Sequence, residues 1–188
     1  PSEIWTAKPT TVSYEGYIAP ETHWVFADSS LVEVLQKLLA QREKELDPDI
    51  VDAIKARGLT IHELLTMASI IEKEVKFTED KTIVADILWR RLKANWALQV
   101  DSSVHYAVDR TGDVFTTDKE RETDSAWNTY KYPSLPPGPI ASPGLVSIRT
   151  ALYTTKNDYW YFLSDKEGHM HYAKTLDEHN TNKYKYLR

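Results

Sequence analysis

Apolar positions along this chain recur mostly at steps of three and four residues, the spacing of an amphipathic helix. Ser30 followed by Glu33 forms a capping box, and Leu31, Val34, Leu35, Leu38 and Leu39 then share one helix face. Asp47-Pro48 opens a short second helix, which Gly58 closes just past its end. Thr60 with Glu63 repeats the start signal for a third helix running to about Val75. A fourth is expected from about Thr78, burying Ile83, Val84, Ile87, Leu88 and Leu92, and Asp101-Ser102-Ser103 is expected to cap a short one through Tyr106. From Asp109 to Ala141 the periodicity fails, and the run Leu135-Pro136-Pro137-Gly138-Pro139-Ile140 reads as a stiff loop. Ser142-Pro143 opens another helix toward Tyr153, and Thr175 with Glu178 caps a last one.

The strand signals lie near both ends. Thr10–Tyr14 and Trp24–Phe26 read as extended segments around the turn-rich stretch Glu15–Pro20. Tyr159–Leu163 and His169–Ala173, separated by a turn at Lys166-Glu167-Gly168, read as a hairpin. The sum predicts an α+β fold in one domain over residues 1–188. Central helices would pack with a small, mostly antiparallel sheet made from the N-terminal strands and the C-terminal hairpin.

Chemistry enters on the third helix. At about 100° per residue, Ile61, Leu64, Leu65, Ala68, Ile71 and Val75 form an apolar stripe, with Glu72 inside it and Glu63 and Glu74 opposite. A carboxyl group facing hydrocarbon is expected to keep its proton, which is what a general acid needs. An ion-paired or solvated acid near a helix end is the competing reading.

Composition narrows the classes. The formal net charge of -5 argues against general nucleic-acid binding, which needs clustered Lys and Arg. With no Cys there are no disulfides, thiolate metal sites or Cys nucleophiles. No apolar run approaches the roughly 20 residues of a membrane span, and the Pro1-Ser2-Glu3 opening reads as the start of a fragment. The six Trp and eleven Tyr suit stacking on sugar faces as well as a core. His169 and His171 share a strand face but lack a third ligand, so neither metal nor cofactor is expected.

Several segments resemble, in order, the motifs of the MltG (YceG-like) endolytic transglycosylase family. They are Glu15-Gly16-Tyr17 with Pro20, Ala68-Ser69-Ile70-Ile71-Glu72-Lys73-Glu74, Leu98-Gln99-Val100-Asp101, Trp127-Asn128-Thr129-Tyr130 and the run Leu135–Gly144. Tyr161-Phe162, Gly168-His169, Ala173-Lys174-Thr175-Leu176 and Glu178-His179-Asn180 continue the match, which covers the chain from about Tyr14 onward. Gly-Tyr-Ile-Ala-Pro stands where relatives commonly have Gly-Tyr-Leu-Phe-Pro, and His23 replaces a frequent Tyr, which bears on subsites rather than on the reaction.

The resemblance implies a bacterial cell-envelope enzyme on the extracytoplasmic side of the cytoplasmic membrane. It would cleave nascent peptidoglycan strands between N-acetylmuramic acid and N-acetylglucosamine without water, leaving 1,6-anhydro ends. The implied acid, then base, is Glu72, the first Glu of Glu-Lys-Glu. Gln99, Asp101, Asn128 and Tyr130 are candidates for substrate binding, Pro137 and Gly138 for a groove wall, and His179 and Asn180 for reaching the site from the last helix. Each of these also has a purely structural reading, a helix N-cap in the case of Asp101. Implied partners are glycan strands, with penicillin-binding proteins and the cell-wall elongation machinery as candidates. Membrane attachment would come only through an N-terminal anchor outside this sequence. Two other classes stay open: a hydrolase with Asp101 as base, and a glycan-binding module without catalysis.

Overall fold

The computed structural model describes residues 3–110 and 116–187. The elements in chain order are α1 (Glu3–Ala7), α2 (Leu31–Glu45), α3 (Pro48–Ala56), α4 (Ile61–Glu74), α5 (Thr78–Lys93), α6 (Asp101–Ala107), α7 (Asp118–Arg121) and α8 (Leu145–Leu152), then β1 (Tyr161–Ser164), β2 (Met170–Ala173) and α9 (Leu176–Tyr186). The fold is α+β, as the pattern predicts.

Capping chemistry sets the helix starts. Ser30/Glu33, Thr60/Glu63 and Thr175/Glu178 each make both hydrogen bonds of a capping box, and Asp47 caps α3 with Pro48 in its first turn. Gly58 follows α3 at φ +67°, a left-handed conformation that glycine adopts without cost.

Helix α4 occupies the centre, packing on α8 and touching α1, α3, α5 and α6, while α5 also packs on α8. Leu64, Leu65, Met67, Ala68, Ile70 and Ile71 are all fully buried, and Thr66 and Ser69 are buried with them. The helix interior therefore has no solvent face. The buried hydroxyls turn back onto backbone: Thr66 donates to the His62 carbonyl at 2.8 Å and Ser69 to that of Thr66 at 2.7 Å.

Four expectations need correction. The N-terminal segments form no strands: residues 3–7 are helical, and the following backbone closes local turns, such as Val12 N–H to Pro9 and Tyr17 N–H to Tyr14. Among the described residues the sheet is therefore the hairpin alone, pairing Tyr161 with Ala173 through Ser164 with Met170. The expected loop after Asp109 contains α7, capped by Thr117 and Glu120, although residues 111–115 of that stretch lie outside the described residues. Helix α8 starts at Leu145 with Gly144 as its cap, and α6 is capped by Val100, so Asp101 is its first residue and not an N-cap.

The proline run is a brace. Gly16, at φ +81°, lies so close to Pro139 that an added Cβ would approach its ring carbons to 2.4 Å. His62 Nε2 lies 2.9 Å from the Pro137 carbonyl and its Nδ1 2.7 Å from the hydroxyl of fully buried Tyr17. The run thus ties the Glu15-Gly16-Tyr17 turn to the start of α4.

Candidate active site

A cleft of about 560 Å³ opens between the end of α4, the start of α6, the β-hairpin and α9. Of the candidate residues, Gln99, Asp101, Tyr130 and His179 line it, and Glu72, Asn128, Pro137, Gly138 and Asn180 do not. The carboxyl group that α4 delivers to the cleft is that of Glu74.

Glu72 and Glu74 are two residues apart, so about 200° separates them around the helix axis. The Glu72 side chain is 37% exposed, and its Oε2 lies 3.2 Å from Lys81 Nζ and accepts the Ser147 hydroxyl. Partial burial pushes its pKa up. The Ser147 hydrogen bond, the Lys81 charge and the Gly144 backbone outweigh that and hold it below the ordinary carboxylate value. The expected raised pKa at Glu72 is therefore overturned: this group is ionised and paired.

Glu74 shows the opposite balance. Burial drives its pKa up and the nearby Asp101 charge adds to the rise, against hydrogen bonds from Ser102 and the influence of His105. The Ser102 N–H donates to Oε1 at 3.0 Å, and the Ser102 hydroxyl lies beside the same carboxyl. A carboxyl group whose pKa is raised is thus presented to the cleft.

The sequence did carry a signal for this. Three, four and seven residues before Glu74 stand Ile71, Ile70 and Met67, all fully buried. Reading one stripe as the only inner face treated the far side of a central helix as solvent.

Asp101 is held as an acceptor. Tyr130 donates to its Oδ1 at 2.6 Å and the Thr116 hydroxyl at 2.7 Å, while Arg121 lies 3.9 Å away over the Tyr130 ring. Burial first, then the Asp101 carboxylate, raises the Tyr130 pKa, so its phenol remains a donor. Asn128 supports this arrangement from behind, fully buried. Its amide donates to the Arg121 and Thr123 carbonyls at 2.8 Å each, and its Oδ1 accepts the Tyr130 N–H at 3.0 Å. Gln99 sits at φ +56° with its N–H bonded to the Thr129 carbonyl at 3.1 Å, which leaves its exposed side chain facing the cleft.

The opposite wall comes from the chain's end. His179 stacks on Tyr161 at 5.3 Å, and burial, with Lys183 and Arg91 nearby, lowers its pKa to about 4. The imidazole is neutral at neutral pH, and its buried Nδ1 has no hydrogen-bond partner among the described residues. Asn180 is exposed and outside the cleft. Arg91, which sequence reasoning passed over, is buried beneath the floor and donates to the Leu98 carbonyl at 2.6 Å and to that of Trp160 at 2.6 and 2.9 Å. Burial lowers its pKa only to about 10, so it stays cationic. His169 and His171 both turn to Asp165, at 3.5 and 3.0 Å, and no cluster of three metal-type ligands occurs among the described residues. Nor is any described helix long and apolar enough to cross a membrane.

Comparison with known proteins identifies the family. A model of the YceG-like family matches residues 3–185. A protein of Bacillus subtilis (strain 168) named endolytic murein transglycosylase is 38% identical over 174 residues, covering 92% of this chain and 48% of its own length. One of the same name from Streptococcus pneumoniae (serotype 2, strain D39) is 34% identical, covering 89% of this chain and 31% of its own. The chain thus spans half or less of the length of these relatives. A crystal structure of a yceG-like protein from Listeria monocytogenes superposes with a TM-score of 0.85 at 34% identity, over 95% of this chain and 58% of that one.

Proposed function

Because the chain belongs to the YceG-like family, we propose that its cleft cuts peptidoglycan glycan strands by lytic transglycosylation, with Glu74 as acid and then base. The observation that carries this reading is a single one: the carboxyl that α4 points into the cleft has its pKa raised, mainly by burial. Protonated Glu74 donates to the glycosidic oxygen between N-acetylmuramic acid and N-acetylglucosamine. The bond from that oxygen to the muramic anomeric carbon breaks, and positive charge develops there. The muramic C6 hydroxyl then attacks the anomeric carbon and gives its proton to the Glu74 carboxylate. A 1,6-anhydro ring forms, the acid is regenerated and no water is consumed.

The other cleft groups have roles in this scheme. Asp101, fixed by Tyr130 and Thr116, stabilises the developing charge. Gln99 and neutral His179 hydrogen-bond sugar hydroxyl or acetamido groups, and the rings of Tyr161 and Phe162 give sugars an apolar surface. On this reading the site works on the extracytoplasmic side of the cytoplasmic membrane, with penicillin-binding proteins and the elongation machinery as candidate partners.

The test is Glu74→Gln with purified glycan strands. Cleavage is expected to fall about 10²- to 10⁴-fold with strand binding retained. Mass analysis of the wild-type digest should show ends lighter by one water than reducing ends. Reducing ends alone would favour a hydrolase using Asp101 as base, and full activity in Glu74→Gln would remove Glu74 from the reaction.

A further inference from the structure

On the side of α4 away from the cleft, Glu72, Lys81 and Ser147 join three helices through one polar knot. Lys81 Nζ from α5 lies 3.2 Å from Glu72 Oε2 and donates to Ser147 Oγ at 2.7 Å, and the Ser147 hydroxyl bonds the same Glu72 oxygen. Ser147 is fully buried and Lys81 only 7% exposed, so neither group is available to substrate. Helix α8 begins at Gly144, which has no side chain to cap the free N–H groups of the first turn. The Glu72 carboxylate stands near that end, beside the Gly144 backbone and accepting the hydroxyl of the third residue of α8, and Lys81 balances its charge. An acid supplied by a neighbouring helix thus lies at the positive end of α8.

The position along α4 matters as much as the partners. Glu74 is the last residue of α4, where a helix frays and its own hydrogen bonds hold it least. The knot grips the same turn, two residues earlier, and fastens it to α8 and α5. Resting on the reading of Glu74 as the acid, we propose that the Glu72–Lys81–Ser147 knot is a positioning device that sets where the Glu74 carboxyl stands in the cleft. Glu72 thereby acts on the reaction through Glu74, without touching the glycan.

Misplacement of a reacting group by about 1 Å costs on the order of 10²-fold in rate. Glu72→Gln keeps an acceptor for Ser147 but leaves the Lys81 ammonium buried and unbalanced. A fall in kcat of roughly 10- to 100-fold is expected, with KM within about twofold and the pH profile of kcat/KM unmoved. In Glu72→Gln/Lys81→Met the methionine fills the space of the lysine stem, no buried charge remains, and the amide at position 72 keeps the bond from Ser147 that ties α4 to α8, so kcat should recover to within about threefold of wild type. Circular dichroism and a urea midpoint verify folding of each variant. Should Glu72→Gln alone fail to fold, the double variant and Ser147→Ala carry the test, the latter with a kcat loss of about threefold to tenfold.

A folded Glu72→Gln with unchanged kcat overturns the proposal. So does a double variant that stays inactive or whose pH profile shifts, because Glu72 would then take part in the chemistry itself. Failure of the underlying reading looks different: Glu74→Gln would keep its activity whatever the Glu72 variants do.

Discussion

Helices α2 and α4 start from the same local instructions and end in opposite surroundings. Both open with a complete capping box and carry regularly spaced apolar residues over 15 and 14 positions. In α4 the whole middle is buried. In α2 none of Leu31, Val34, Leu35, Leu38 and Leu39 is fully buried, and Leu31 and Val32 are well exposed, as are Trp24 and Phe26. The buried residues of α2 are instead a charged pair. Arg42 bonds Glu45 at 2.5 Å and donates to the carbonyls of Ile18 at 3.1 Å and Pro143 at 2.7 Å. One helix is held by hydrocarbon on every side and the other by a polar hook at its end. Capping and periodicity specify that a helix forms; the helices around it decide which side is the inside.

This contrast can be broken by mutation, the largest effects first. Arg42→Ala leaves the Glu45 carboxylate buried without its partner and should cost about 3–5 kcal/mol in urea unfolding; a loss below about 1 kcal/mol would mean that α2 is not held by this hook. Leu65→Ala, at a fully buried position of α4, should cost about 2–5 kcal/mol. The matching change in α2, Leu35→Ala, should cost less than about 1 kcal/mol, since that side chain is only half-buried. Ser30→Ala and Thr60→Ala should each cost about 1 kcal/mol and agree with one another, because both remove the same cap. Unequal losses would show that the surroundings reach into the cap itself.

The subtlest prediction concerns the two acids at the end of α4. The Glu74 pKa is raised on folding, so its protonated form favours the folded state. Its contribution is full below the unfolded value and is lost as pH rises through the folded one. For Glu72, whose pKa is lowered, the contribution is present above the unfolded value and is lost as pH falls through the folded one. Urea midpoints against pH should therefore part in opposite senses. As the pH is lowered, wild type gains on Glu74→Gln and loses its advantage over Glu72→Gln.

Much of the fold was legible because its signals are local. The capping pairs, Pro48 and Gly58, and the Gly168 turn at φ +93° between the strands each act within a few residues. The absence of N-terminal strands was not legible, since a strand needs a partner that no local pattern supplies. Of the candidate site, Gln99, Asp101, Tyr130 and His179 were found through motif order, and all four line the cleft. Asn128 was found too, but its amide is spent on backbone behind Tyr130. The expectation of a raised pKa at Glu72 failed for a physical reason. A one-stripe reading suits a surface helix, and α4 is covered all round, so its real polar outlets lie only at its ends. Arg91 and Ser102 escaped notice because their value depends on carbonyls and carboxyls distant in sequence.

The cleft draws its two walls from separate stretches of the chain, Glu74 to Tyr130 on one side and Tyr161 to Leu187 on the other. During synthesis the ribosome delivers the first wall well before the second. A nascent chain that has already settled its central helices would still hold Glu74 in an open trough, wet and unshielded. The trough becomes a two-walled cleft only when the final helix has docked on the hairpin, so the enclosure of Glu74 is the last part of the site to be made.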